Sequence, residues 1–179
     1  MNAQQIGEIF AGARTRAVVR WASIVVFSAL AWTAAHAETP EEWVRLGTRI
    51  HGGFGAFIPV GIRIGIDALE RLQARPRELS VLYLDGERTP CPCIADGIMM
   101  ATTASPGQGT LQISAEKAPP GLMGLAIIRH RKTGRALRYE IPAELAPKLL
   151  EWNKTLDALG RYDAVMKAAE PFRVILLEN

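Results

Sequence analysis

The chain has 179 residues, 49% of them hydrophobic and 22% charged, with a formal net charge of +3 and only two cysteines. Arg14, Arg16, Arg20 and Glu8 fall in the first 37 positions, so the remainder carries 18 basic against 17 acidic groups, a balance of +1. That near-neutral balance leaves a nucleic-acid function without support, and one domain's worth of sequence remains, enough for a hydrophobic core.

The N-terminus reads as an export signal. Its three arginines precede an apolar run from Trp21 to Trp32, and Ala35-His36-Ala37 supplies the small residues of a cleavage site. The apolar run is shorter than the roughly 20 residues of a bilayer-spanning helix. Cleavage after Ala37 is expected, with residues 1–37 as signal peptide and 38–179 as the exported, periplasmic domain. An uncleaved anchor is the alternative. The export signal is the only membrane contact expected, and His36 leaves with it.

"PEEWVRLGTRIH" places Trp43, Leu46 and Ile50 at helical spacing behind a proline and two glutamates suited to a helix start. The glycine-rich "HGGFGAF" interrupts it. Pro59 opens a second helix through about Gln73, with Ile62, Ile66, Leu69 and Leu72 along one face and Arg63, Glu70 and Arg71 elsewhere. "ELSVLYLDG" is a buried strand ending in a turn, and "CIADGIMMATTA" a short apolar helix beginning just after the cysteines. "SPGQGT", Ser105 to Thr110, lacks the Lys-Ser/Thr ending of a phosphate-binding loop and reads as a tight turn leading into "GTLQISA".

"GLMGLAIIRH" and "RALRYEIP" form an antiparallel pair joined at Lys132-Thr133-Gly134, whose flanking "RHRKTGR" is a solvated hairpin tip with His130 exposed. "PAELAPKLLEWNKTLDALG" and "RYDAVMKAAE" are helical, and "FRVILLE" is a last strand. Strands and helices mix without regular alternation. This predicts a single α+β domain, a mixed or antiparallel sheet packed with helices.

The chemistry concentrates in "GERTPCPCIADGIMM". Cys91 and Cys93 are separated by one proline, and closing so short a ring forces dihedrals away from relaxed disulfide values. Such a bond removes little chain entropy and is easily reduced, a redox property more than a structural one. Two further readings stand beside it: a metal-ligating or reactive-thiol pair, and an inert apolar pair. A cysteine just ahead of a helix meets unpaired N–H groups and the positive end of the dipole, both of which favour thiolate. Asp96 lies one turn on, where an acidic residue also stabilises a helix start. His51 precedes three glycines in four residues, a segment that lets backbone approach a ligand or that follows a helix cap. No local pair of histidines has metal-ligand spacing, and no serine sits in an elbow motif.

Two motifs carry a resemblance. "HGGFGAFIPVGIR" offers His51, Gly52, Gly61 and Arg63, and "CIADGIMMATTASPGQGTL" offers Cys93, Asp96, Gly97, Ile98, Thr102, Gly107, Gly109 and Leu111. In this order and spacing they resemble the family of the formylmethanofuran dehydrogenase E-type subunit, over about Trp43 to Ile141. That family has His-Gly-His-x-Cys-Pro-Gly in the first motif and Cys-x-x-Asp-(Ala/Gly)-Ile followed by Thr-Gly-Cys-Thr-x-Gly-Lys-Gly in the second. Here Gly53 and Gly55 replace the second histidine and first cysteine, while Ala104 and Gln108 replace the later cysteine and lysine. There is no further cysteine for a C-terminal zinc-binding tail.

The resemblance implies the α+β core, a possible homodimer, and a pocket where the His-Gly stretch faces the Cys-x-x-Asp helix start. It makes His51, Cys93 and Asp96 pocket residues, with Cys91 a neighbour that has no family counterpart. His51 and Cys93 are the expected metal donors, and thiolate with imidazole suits Zn, Fe or Cu. The expected function is an exported accessory protein that binds a metal ion or small metal-bearing ligand. The alternatives are a thiol-dependent enzyme, with Cys93 as reactive thiol served by His51 and Asp96, and a degenerate structural or interaction domain.

Overall fold

A computed structural model describes residues 38–178, and the expected leader at 1–37 lies outside the described residues. From Thr39 onward the described chain forms one compact unit. In chain order its elements are α1 (Pro40–His51), α2 (Phe57–Leu72), β1 (Leu79–Asp85), α3 (Cys93–Thr102), β2 (Leu111–Ile113), β3 (Leu122–His130), β4 (Ala136–Pro142), α4 (Ala146–Thr155), α5 (Ala158–Lys167) and β5 (Arg173–Leu177). The strands make one sheet in the order β2-β1-β3-β4-β5. β1 and β2 run parallel and every other neighbour is antiparallel, so the sheet is mixed and the domain is α+β. Among the described residues, no helix is long and apolar enough to cross a membrane.

Alternation along the strands assigns one sheet face to the core. Leu79, Val81 and Tyr83 of β1, Ala126 and Ile128 of β3, and Leu137, Tyr139 and Ile141 of β4 are all buried, whereas Leu82 is 37% exposed. The same hydrophobic cluster takes in Ile58, Ile62, Ile64 and Ala68 of α2 and Ile94 and Ile98 of α3. Each fully buried isoleucine contributes about 1.5–3 kcal/mol relative to an exposed one. α2 is apolar around most of its circumference because it is the central helix of this core.

α2 and α3 pack along each other with their backbones nearly touching. A Cβ on Gly61 would collide with the carbonyl oxygen of Ile94 and come within 2.9 Å of the Gly97 Cα. One on Gly97 would meet the carbonyl of Ile58 and lie 2.8 Å from the Gly61 Cα. One turn further along, a Cβ on Gly65 would come within 2.6 Å of the Ala101 methyl. Glycine is therefore required at Gly61 and Gly97 for want of space.

α1 begins with Thr39, whose side chain accepts from the Glu42 N–H while the Glu42 carboxylate accepts from the Thr39 N–H, a reciprocal cap. It ends at Gly52, which takes a left-handed φ of 84° and donates its N–H to the Thr48 carbonyl. Arg63 bonds the far end of the chain to α2: its Nη1 donates to the carbonyls of Val165 and Ala168 at 2.8 and 2.7 Å, satisfying the C-terminus of α5.

Several sequence expectations need correction. α2 starts at Phe57, so Pro59 sits inside its first turn, where no N–H is missed. Ile50 and Ile66 are 42% and 38% exposed, because the core lies against Trp43 and Gly47 of α1 and against the Ile58–Ile62–Gly65 side of α2. The two C-terminal helices break at Leu156, since Asp157 takes up the N-cap position of α5 and accepts from the Gly160 N–H. His130 is buried, 6% exposed, with Nδ1 accepting from the Lys132 N–H at the hairpin turn. The tip itself, Arg131 to Thr133, is exposed as expected, and "SPGQGT" is a tight turn in which Ser105 caps Pro106–Gln108.

Gly61→Ala or Gly97→Ala is expected to lower stability by about 3 kcal/mol or more, because backbone has no rotamer with which to yield. Gly107→Ala, at a position with no atom within 4 Å of the new methyl, should stay within about 0.5 kcal/mol of the parent. Urea unfolding of the three variants beside the parent measures both.

Candidate functional site

The Gly61–Gly97 contact packs α3 against α2; the N-terminus of α3 also lies beside the C-terminus of α1, and the chemistry gathers at that junction. His51 is the last residue of α1 and Cys93 the first of α3, with Asp96 in its first turn. Cys91 lies two residues upstream on the loop from β1. That loop is pinned at its base, where Gly86 N–H and the Thr89 hydroxyl both donate to the Met123 carbonyl of β3.

His51 Nδ1 lies 2.7 Å from Asp96 Oδ2. The carboxylate accepts, so Nδ1 carries the proton, and in the corresponding neutral tautomer the lone pair is on Nε2 at the other side of the ring. Nε2 faces Cys91 Sγ at 4.0 Å. The donor atoms of His51, Cys91 and Cys93 all lie within 4.8 Å of one another. The two sulfurs are joined as a disulfide, with the Cα atoms 5.3 Å apart. Exposure grades across the group, from exposed His51 through half-buried Cys91 to Cys93 at 6%. α3 has no side-chain cap at Pro92, so the first N–H groups of the helix remain near Cys93 and favour negative charge there.

Each residue singled out in the sequence has a definite place. His51, Cys91 and Cys93 form the donor group, and Asp96 stands behind His51 as its hydrogen-bond partner. His130 belongs to the β3–β4 hairpin and takes no part. An open groove of about 350 Å³ lies elsewhere, lined by Arg63, Asp67, Arg71 and Phe172, and shares no residue with the donor group.

Sequence reasoning missed the residues that hold the His51 loop. Asn153 of α4 accepts from the Ala56 N–H at 2.7 Å. Arg161 of α5 donates to the Phe54 carbonyl at 3.1 Å and to the Asn153 carbonyl at 2.8 Å. Phe54 is buried against Gly47 of α1, which folds the glycine segment back under the helix. The signals for this clamp are a polar pair inside otherwise amphipathic helices, 97 and 107 residues from their partners.

The family described as "FmdE, Molybdenum formylmethanofuran dehydrogenase operon" matches residues 50–171. The chain belongs to the FmdE family. No curated protein matches it. Against the FmdE motif, this member lacks donors at Gly53 and Gly55. Gly53 has no atom within 4 Å of where its side chain would be. Cys91 supplies a sulfur to the same junction from a different loop. The FmdE domain and its His/Cys cluster are together compatible with metal binding.

The hydrogen bond to Asp96 fixes the tautomer, and this is measurable. Above the pH range in which the imidazole titrates, nitrogen NMR of the full chain is expected to show His51 as the Nδ1–H form. Asp96→Ala should move it toward the Nε2–H form, turning a proton toward the sulfurs. An unchanged tautomer would contradict the assignment.

Proposed function

We propose that the protein is an exported accessory protein that binds a transition-metal ion, or a small ligand carrying one, through His51, Cys91 and Cys93. The observation that carries this reading is the convergence of one imidazole and two sulfurs from two separated segments within 4.8 Å. The donor chemistry fits once the pair is reduced: two thiolates and an imidazole form a soft set suited to Zn, Fe or Cu. Asp96 supports it further, because a carboxylate on the far ring nitrogen is the usual partner of a metal-ligating histidine.

The reading extends the expected donor set by Cys91. That sulfur stands in for one of the two donors missing at Gly53 and Gly55. Three protein donors are one fewer than a closed structural zinc site uses, which leaves a position for a ligand. When bound, the ion would supply Lewis acidity or a point of attachment at that position. The chain's own part is to hold the donors: Asp96 orients the ring, α3 begins at Cys93, and Asn153 with Arg161 fastens the loop after His51.

Metal analysis of the purified, reduced protein tests the reading. About one zinc per chain is expected at a three-donor site of this kind. His51→Ala and Cys93→Ser should each abolish stoichiometric retention, and Asp96→Asn should weaken affinity by about 10–100-fold. Circular dichroism of the variants separates lost donors from lost fold. Equal and negligible metal in the parent and all variants would overturn the proposal.

A further inference from the structure

Two of the three donors are bonded to each other. Cys91 and Cys93 are joined sulfur to sulfur, with a Cα separation of 5.3 Å that lies inside the ordinary span for a disulfide. A metal takes thiolate, and a sulfur engaged in a disulfide has no thiolate to give. Oxidation therefore leaves His51 as the only donor of the set, and a bound ion in turn occupies the sulfurs that oxidation needs. The two states exclude each other.

We infer that the Cys91–Cys93 pair is a reversible dithiol–disulfide couple that opens and closes the metal site, reacting with low-molecular-weight thiols at Cys91. This rests on the metal-binding reading above and specifies how that site is regulated.

Accessibility selects the sulfur that reacts. Cys91 is half-buried between exposed Pro90 and Pro92, whereas Cys93 is 6% exposed and packed in the core. An external thiolate reaches the Cys91 sulfur, forming a mixed disulfide there. The Cys91–Cys93 bond breaks and its electron pair goes to Cys93 Sγ, at the start of α3. A second external thiolate then attacks the external sulfur of the mixed disulfide, releasing the small-molecule disulfide and the Cys91 thiolate. Two small thiolates are thus oxidised to one disulfide while the protein disulfide is reduced to two thiolates. The reverse exchange, with a small-molecule disulfide as oxidant, closes the site.

The fold confines this change to the donor group. One residue lies between the cysteines, so the bond restrains almost no chain. The loop before Cys91 is held independently by Gly86 and Thr89 on the Met123 carbonyl, and Cys93 is held by α3. Reduction alters the number of donors and leaves the elements that carry them in place.

The test equilibrates the full chain in glutathione redox buffers with and without Zn²⁺. Alkylation followed by mass measurement reads the thiol fraction, and competition with a chromophoric chelator reads zinc binding. The reduced chain should bind zinc at least about 100-fold more tightly than the oxidised chain, since two of three ligands are lost. Zinc at a hundred times its Kd should move the midpoint by about 60 mV toward more positive potential, because only the dithiol binds it. In oxidised glutathione, Cys93→Ser should form the mixed disulfide at Cys91 at least tenfold faster than Cys91→Ser forms one at Cys93. Equal zinc affinity in both redox states would overturn the couple and leave the metal site standing. Failure to form the disulfide in the most oxidising buffer, or faster reaction at Cys93, would overturn it as well. No zinc binding in either state would overturn the metal-binding reading and the couple together.

Discussion

Gly61 and Gly97 bring two helix backbones into contact, and the placement of Cys93 and of Asp96 beside His51 follows from that contact. With any larger residue at either position, the carbonyls of Ile94 and Ile58 would have to move aside. The helices would separate, and α3 carries both Cys93 and Asp96. A hydrogen bond of 2.7 Å between His51 and Asp96 does not survive a displacement of an ångström. The apolar core supplies most of the free energy of folding, but this close crossing sets the geometry of the junction.

The two glycines explain part of the family motif in physical terms. In "FIPVGIR" and "CIADGIM" each glycine follows the residues that pack into the core, and Asp96 and Cys93 share the second segment with Gly97. A motif of this kind specifies a helix crossing and a ligand-presenting helix start together. Here the glycine segment after His51 has no donor-type side chain at Gly53 or Gly55, and Cys91, on the loop after β1, brings a sulfur to 4.0 Å from the His51 ring.

The fold class and most elements were legible because they depend on local pattern. Short apolar runs bounded by turn signals identified β1, β3 and β4, the Lys132-Thr133-Gly134 turn joined two of them, and helical spacing identified α1 and α2. The errors arose where a partner distant in sequence decides. Ile50 fits a helical stripe, but the core meets α1 at Trp43 and Gly47 instead. His130 sits among arginines in sequence, yet its ring is buried and bonded at the hairpin turn. The break at Leu156 depends on one aspartate acting as a cap, and the Asn153–Arg161 clamp on partners about a hundred residues away. At the site, the expected export and the spacing left the cysteine pair open among three readings. The structure adds that both sulfurs lie within 4.8 Å of a His51 ring nitrogen, and that Asp96 bonds the other side of the ring.

The central claim is that one imidazole and two thiolates act together on one ion. X-ray absorption at the zinc edge, on the reduced full chain loaded with zinc, tests it most directly. The account predicts two sulfur neighbours at about 2.3 Å and at least one nitrogen at about 2.0–2.1 Å. A shell of nitrogen and oxygen alone, without sulfur, would contradict it.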